Sequence, residues 1–113
     1  MCDRTSIVNE VKKYLGVPYV WGGENPKGFD SPGLVVFVFK KACGIKFSHF
    51  TEDMLKKGSE VSRGNLRAGD LIFTSEHHVG ICISNNQFIH APQTGDVVKI
   101  SNINNFYAGR RFI

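Results

Sequence analysis

The stretch Gly22-Gly23-Glu24-Asn25-Pro26-Lys27-Gly28-Phe29-Asp30-Ser31-Pro32-Gly33-Leu34, followed by Val35-Val36-Phe37-Val38-Phe39-Lys40-Lys41-Ala42-Cys43-Gly44, decides the architecture. A glycine-rich, turn-forming loop empties into an apolar run that stops at Gly44, and this run predicts a buried helix over roughly Ser31 to Ala42. Asp30 or Ser31 supplies the N-cap. Pro32 fits the first helical turn, where its fixed φ and missing N–H are tolerated. First-turn N–H groups are unpaired and carry partial positive charge, so a nucleophile placed there is favoured as an anion. The ordinary meaning of such a stretch is a capped core helix, and what makes it more lies elsewhere in the chain.

Toward the N-terminus, Val17-Pro18-Tyr19-Val20-Trp21 reads as extended, because residues before proline avoid the helical region and Gly22-Gly23 interrupts any regular element after Trp21. Its side chains are placed to line something near the loop. Before it, Ile7, Val8, Val11, Tyr14 and Leu15 approach the spacing of one apolar helix face, with Thr5 or Ser6 as cap and Gly16 as stop.

Toward the C-terminus, Thr51 caps a third helix over Glu52 to Lys57. The pattern then changes to short apolar runs: Asp70–Phe73, Val79–Ile83, Gln87–His90, Val97–Ile100 and Arg110–Ile113, with turn residues between them. Helices first and strands second predict an α+β fold, with helices packed on one side of a C-terminal antiparallel sheet.

At 113 residues, 42% hydrophobic and 21% charged, the chain fits one domain spanning residues 1–113. Its net charge of +4 would suit a wall polymer, a membrane surface or nucleic acid. Lys12-Lys13, Lys40-Lys41, Lys56-Lys57 and Arg110-Arg111 nevertheless fall in pairs where elements end, so these read as solvated, dipole-matching charges. No nucleic-acid partner is expected, and no run reaches the length of a membrane span. Cys2, Cys43 and Cys82 suggest neither a disulfide framework nor a structural metal. The N-terminus carries no apolar export segment, which leaves a cytoplasmic chain or a domain of a longer exported protein.

His78 opens one predicted strand and His90 closes the next. In a hairpin turning at Ser84-Asn85-Asn86-Gln87 these two imidazoles become neighbours, which suggests a base and its orienter. Hydrolytic chemistry needs a nucleophile, a histidine to manage its proton and a polar group to fix that histidine's tautomer. Position 31, at the tip of the central helix, would complete the set. Half-buried strand-end histidines are the plain alternative. Metal binding by the pair lacks a further ligand at a recognisable interval. His49 and His77 have no comparable placement and are expected at the surface.

Together these segments carry a family resemblance. Leu15–Gly23, Gly28-Phe29-Asp30, Gly33-Leu34-Val35, Leu66–Phe73, His78-Val79-Gly80-Ile81 and Phe88–Pro92 resemble, in the same order, the NlpC-type cell-wall cysteine peptidases. The resemblance implies a papain-like α+β fold and hydrolysis of peptidoglycan stem peptides, typically between γ-D-glutamate and a diamino acid, by a Cys-His-His set that needs no cofactor. It makes His78 the base and His90 its orienter, and it places Tyr19 and Asp30 beside the substrate, with Trp21 in the same groove. A monomer located outside the cell or at the wall is the corresponding expectation.

At the nucleophile the chain departs from the family, whose members read Asp-Cys-Ser-Gly where this chain reads Asp30-Ser31-Pro32-Gly33. Neither remaining thiol substitutes: Cys43 lies about 18 Å along the same helix, and Cys82 falls inside a strand. Hydrolysis by this form is therefore expected to be crippled. An engineered inactivation and a natural pseudoenzyme that binds wall peptides both fit Ser31, and an amidase or transferase acting on a non-wall amide is a further alternative. Ser48-His49-Phe50-Thr51 is a second departure, where relatives carry a Pro-Arg-Thr/Ser type segment near the substrate.

Overall fold

The computed structural model describes residues 2–113. Helix α1 (Arg4–Lys12) begins one residue after Asp3, whose carboxylate accepts from the Ser6 N–H at 2.8 Å. Asp3 is therefore the cap, in place of Thr5 or Ser6. Ile7 and Val11 turn fully inward. Glu10 joins them because its carboxylate has local donors, accepting from Lys13 Nζ at 3.2 Å and from the Tyr14 hydroxyl.

The Gly-rich loop folds into a small hairpin of β1 (Glu24–Asn25) and β2 (Gly28–Phe29) and delivers the chain into α2 (Ser31–Cys43). Asp30 is the N-cap, and Gly44 ends the helix at φ 68 with its N–H donating to Lys40 O. Leu34, Val35, Val38 and Phe39 are fully buried. Gly33 cannot be any other residue without movement, since a Cβ there would come within 1.8 Å of Gly23 O. The loop is thus pressed onto the first turn of the helix.

Five strands, β4 (Leu71–Ser75), β5 (His78–Cys82), β6 (Gln87–His90), β7 (Lys99–Asn102) and β8 (Ala108–Arg111), join β3 (Ser59–Glu60) in a six-stranded sheet. The order is β3-β8-β4-β5-β6-β7, and every pairing is antiparallel. Helix α2 packs on β5 and against α1, so the core lies between helices and sheet as an α+β fold requires. Asp70, fully buried before β4, accepts from Arg111 Nε and Nη2 at 2.8 Å and from Arg4 Nη1 at 3.2 Å, tying α1 and the end of β8 to the segment that enters β4.

Beyond the cap of α1, four further features differ from expectation. Helix α3 is a single turn, Thr51–Met54, and Phe50 rather than Thr51 is its cap. The Thr51 hydroxyl instead donates to Glu76 O at 2.7 Å, pinning this turn to the loop before β5. Strand β7 starts two residues later than the Val97–Ile100 run. Val97 and Val98 pair with the extended N-terminal stretch, through a Pro18–Val97 bridge and a 2.8 Å bond from the Val98 N–H to Val17 O. Strand β8 ends earlier because Phe112 turns into an aromatic cluster, with ring centroids 4.8 Å from Phe47.

The cysteines require the fourth correction. Cys2 and Cys43 form a disulfide with Cα atoms 4.7 Å apart, joining the start of α1 to the end of α2, while Cys82 is a buried free thiol. Antiparallel packing of the two helices brings together residues separated by 41 positions. Spacing alone gives no sign of this.

Candidate functional site

Ser31 is the first residue of α2, and a cavity of about 300 Å³ opens over it. Tyr19, Trp21 and Asp30 line this cavity with Ser31, so the residues expected to hold substrate are gathered at the helix tip. The extended stretch is placed there by main-chain bonds: the Tyr19 N–H donates to Asp96 O at 2.9 Å and the Val20 N–H to Phe29 O at 3.0 Å. Trp21 stands on the rim, 85% exposed. Burial, and then the nearby Asp30 charge, raise the Tyr19 phenol above its ordinary pKa.

Asp30 organises the helix tip. One carboxylate oxygen accepts from the Gly33 N–H at 2.8 Å and caps α2; the other accepts from the Gly22 N–H at 2.9 Å and holds the loop. A third contact comes from His49, whose Nε2 lies 2.8 Å from the same carboxylate. The other ring nitrogen of His49 meets the Glu24 carboxylate. Both nitrogens facing acceptors require the doubly protonated ring. Burial alone would lower the His49 pKa, but hydrogen bonds and charge from Asp30 and Glu24 outweigh it and raise the value.

This corrects the expectation of a surface His49, whose side chain is 24% exposed and forms part of the cavity wall. His77 is exposed, as expected, yet it also lines the cavity. The one sign in the sequence was the departure at Ser48-His49-Phe50-Thr51 from the pattern that the resemblance leads one to expect. The contacts to Glu24 and Asp30 span 25 and 19 residues and leave no local pattern.

The histidine pair is formed as the hairpin requires. His78 Nε2 lies 2.7 Å from His90 Nδ1. Gly80 lets them meet: a Cβ there would fall 2.5 Å from the Phe88 ring and 3.0 Å from His90 Cβ. Burial lowers the His78 pKa, and burial followed by the His78 and Lys99 charges lowers His90 to about 4. The pair borders a second cavity of about 210 Å³ with Thr74, Ser101 and Asn104. His77, the residue before His78, lines the Ser31 cavity, and Thr51 bridges from that cavity to Glu76. The start of β5 therefore lies at the edge of the space over Ser31.

Chemically, a polar side chain on a helix tip and a buried imidazole held by a second one are the kinds of group that nucleophilic attack on a carbonyl uses, and here they line two separate cavities. The same order of elements is found in known proteins. The domain of the peptidoglycan hydrolase SagA is similar over 97% of this chain and 99% of that one, with a TM-score of 0.92 and 34% identity. The Escherichia coli K12 protein named murein DD-endopeptidase MepS/murein LD-carboxypeptidase is 36% identical over 113 residues, 96% of this chain and 60% of its own length. The Bacillus subtilis gamma-DL-glutamyl hydrolase is 38% identical over 98 residues, 80% of this chain and 24% of its own. The chain thus spans at most 60% of the length of these two curated relatives. With the family's pattern matched from residue 16 to residue 113, this protein belongs to the NlpC/P60 family.

Proposed function

We propose that residues 1–113 form one hydrolase domain that acts, as a monomer, on the peptide stems of peptidoglycan. Ser31 stands at the nucleophile's position, His78 acts as base, His90 orients it, and Tyr19, Trp21 and Asp30 hold the substrate. The reading rests above all on the imidazole pair, 2.7 Å apart, in which His78 belongs to β5, the strand that packs against α2, and His90 to the neighbouring β6. The names of MepS and of the SagA domain point to murein, and that of the Bacillus relative to a γ-glutamyl bond. Among these we favour the bond between γ-D-glutamate and a diamino acid. The Cys2–Cys43 disulfide favours an oxidising location outside the cytoplasm.

With a thiol at position 31 the proposed steps run as a cysteine-histidine pair would perform them. His78 takes the thiol proton, the thiolate attacks the scissile carbonyl, and the tetrahedral oxyanion needs a donor. Within the first turn of α2 the Gly33 N–H is occupied by Asp30 and Pro32 has none, so among these groups the N–H of residue 31 is the one assigned that task. Collapse expels the amine, which leaves with the proton from His78. A water deprotonated by His78 then releases the acyl group and restores the thiol. Serine ionises far less readily and places a smaller oxygen against the same base, so the Ser31 form loses several kcal/mol of transition-state stabilisation.

Ser31 itself favours a second reading, a binding module that retains the groove without cutting. Turnover of a γ-D-glutamyl-diaminopimelate peptide by the Ser31 chain and by Ser31→Cys separates the two. A rate gain of at least about 10³-fold with cysteine supports the hydrolase. Tight binding with no cleavage by either form supports the binding module.

A further inference from the structure

The hydrogen-bond chain that begins at His78 does not end at His90. His90 Nε2 lies 2.8 Å from Ser101 Oγ. Sheet register brings these groups together. Ser101 on β7 is paired with Phe88 on β6, and His90 is two residues beyond Phe88, so all three side chains share a face. The His90 ring stacks on Phe88 with centroids 4.2 Å apart and is only 8% exposed. Its orientation is thereby fixed, one nitrogen toward His78 and the other toward Ser101.

A neutral imidazole donates from one nitrogen and accepts at the other. If His78 is to take a proton at Nδ1 from residue 31, its own proton must sit on Nε2 and be donated to His90 Nδ1. His90 must then carry its proton on Nε2 and donate it to Ser101 Oγ. The reversed chain, with Ser101 donating, leaves His78 protonated on Nδ1 and without a lone pair toward residue 31. Ser101 also borders the polar cavity with Asn104 and Asn105, which gives its own O–H somewhere to donate while its oxygen accepts from His90.

We propose that Ser101 is a positioning residue that sets the tautomer of both histidines by accepting the His90 Nε2–H. The proposal rests on the assignment of His78 as base, but its first test needs no turnover. In the ¹⁵N-histidine-labelled Ser31 chain at about pH 8, above the titration of both rings, long-range ¹H–¹⁵N spectra are expected to show His78 and His90 as Nε2–H tautomers. An unpaired buried N–H is rarer than an unpaired acceptor, so Ser101→Ala is expected to shift both rings toward Nδ1–H, and Ser101→Thr to restore the parent pattern. A parent chain with His78 protonated on Nδ1, or tautomers unmoved by Ser101→Ala, would overturn the proposal; the parent spectrum decides even if the alanine variant does not fold.

In the Ser31→Cys background, Ser101→Ala is expected to lower kcat on the order of tenfold or more at unchanged KM, with recovery in Ser101→Thr. An unchanged kcat contradicts the proposal. Absence of cleavage by Ser31→Cys itself contradicts the hydrolase reading and leaves the tautomer result standing on its own.

Discussion

His49 and His90 depart from the ordinary imidazole pKa in opposite directions, and the two shifts divide the pH axis between them. His49 is stabilised as a cation between Asp30 and Glu24 and titrates above its unfolded value of about 6.5. Its contribution to stability is complete below that pH and is lost as pH rises through the folded value. His90 is buried neutral and falls to about 4. Its contribution is present above about 6.5 and is lost as pH falls toward the folded value. Thermal melts of the parent are therefore expected to decline on both sides of neutrality. His49→Gln is expected to reduce the alkaline decline and to lower Tm near pH 6, while leaving the acid side in place. A decline just above neutrality that is unchanged in His49→Gln would show that His49 is not held as a cation between Asp30 and Glu24.

Among the elements, α2 carries the most, since cap, loop and cavity meet in its first turn. Gly33→Ala must move either the loop or the helix, because its Cβ would sit 1.8 Å from Gly23 O. A loss of about 3 kcal/mol or more is expected in urea unfolding, the range of severe steric substitutions. A near-neutral result would mean that the loop yields freely and that Tyr19 and Trp21 are not held by it. The central helix and the β5–β6 hairpin are legible in the sequence because each announces itself locally: Asp30 and Gly44 bracket one apolar run, and Ser84-Asn85-Asn86 turns between two others. The small hairpin of β1 and β2 is not, because its strands are two residues each. Val97-Val98 misleads for another reason: it has strand composition but pairs with Pro18 and Val17, a partner set by tertiary packing.

Across the whole molecule, the disulfide links the two helices that cover one side of the sheet. Closing a loop with a sequence separation of 41 contributes about 4 kcal/mol in the chain-entropy treatment. Reductant, or the Cys2→Ser/Cys43→Ser double variant, is expected to lower the unfolding midpoint accordingly, and an unchanged midpoint would exclude a formed bond in solution. The site follows the same division between what is local and what is not. Ser31, Asp30 and the histidine pair are readable from cap and hairpin signals. His49 and Ser101 are not, because each acts through a partner on another element, 19 and 11 residues away.

Whether the side chain at position 31, on the tip of α2, faces His78 on β5 can be read from the ultraviolet titration of the thiolate in Ser31→Cys. The other cysteines are silent, because Cys2 and Cys43 are paired and burial pushes the Cys82 thiol up to about 12. A midpoint well below the ordinary value of about 8.5 is expected, returning toward it in a Ser31→Cys/His78→Ala chain. A thiol that titrates near 8.5 and ignores the loss of His78 would place the two side chains apart and end the hydrolase reading.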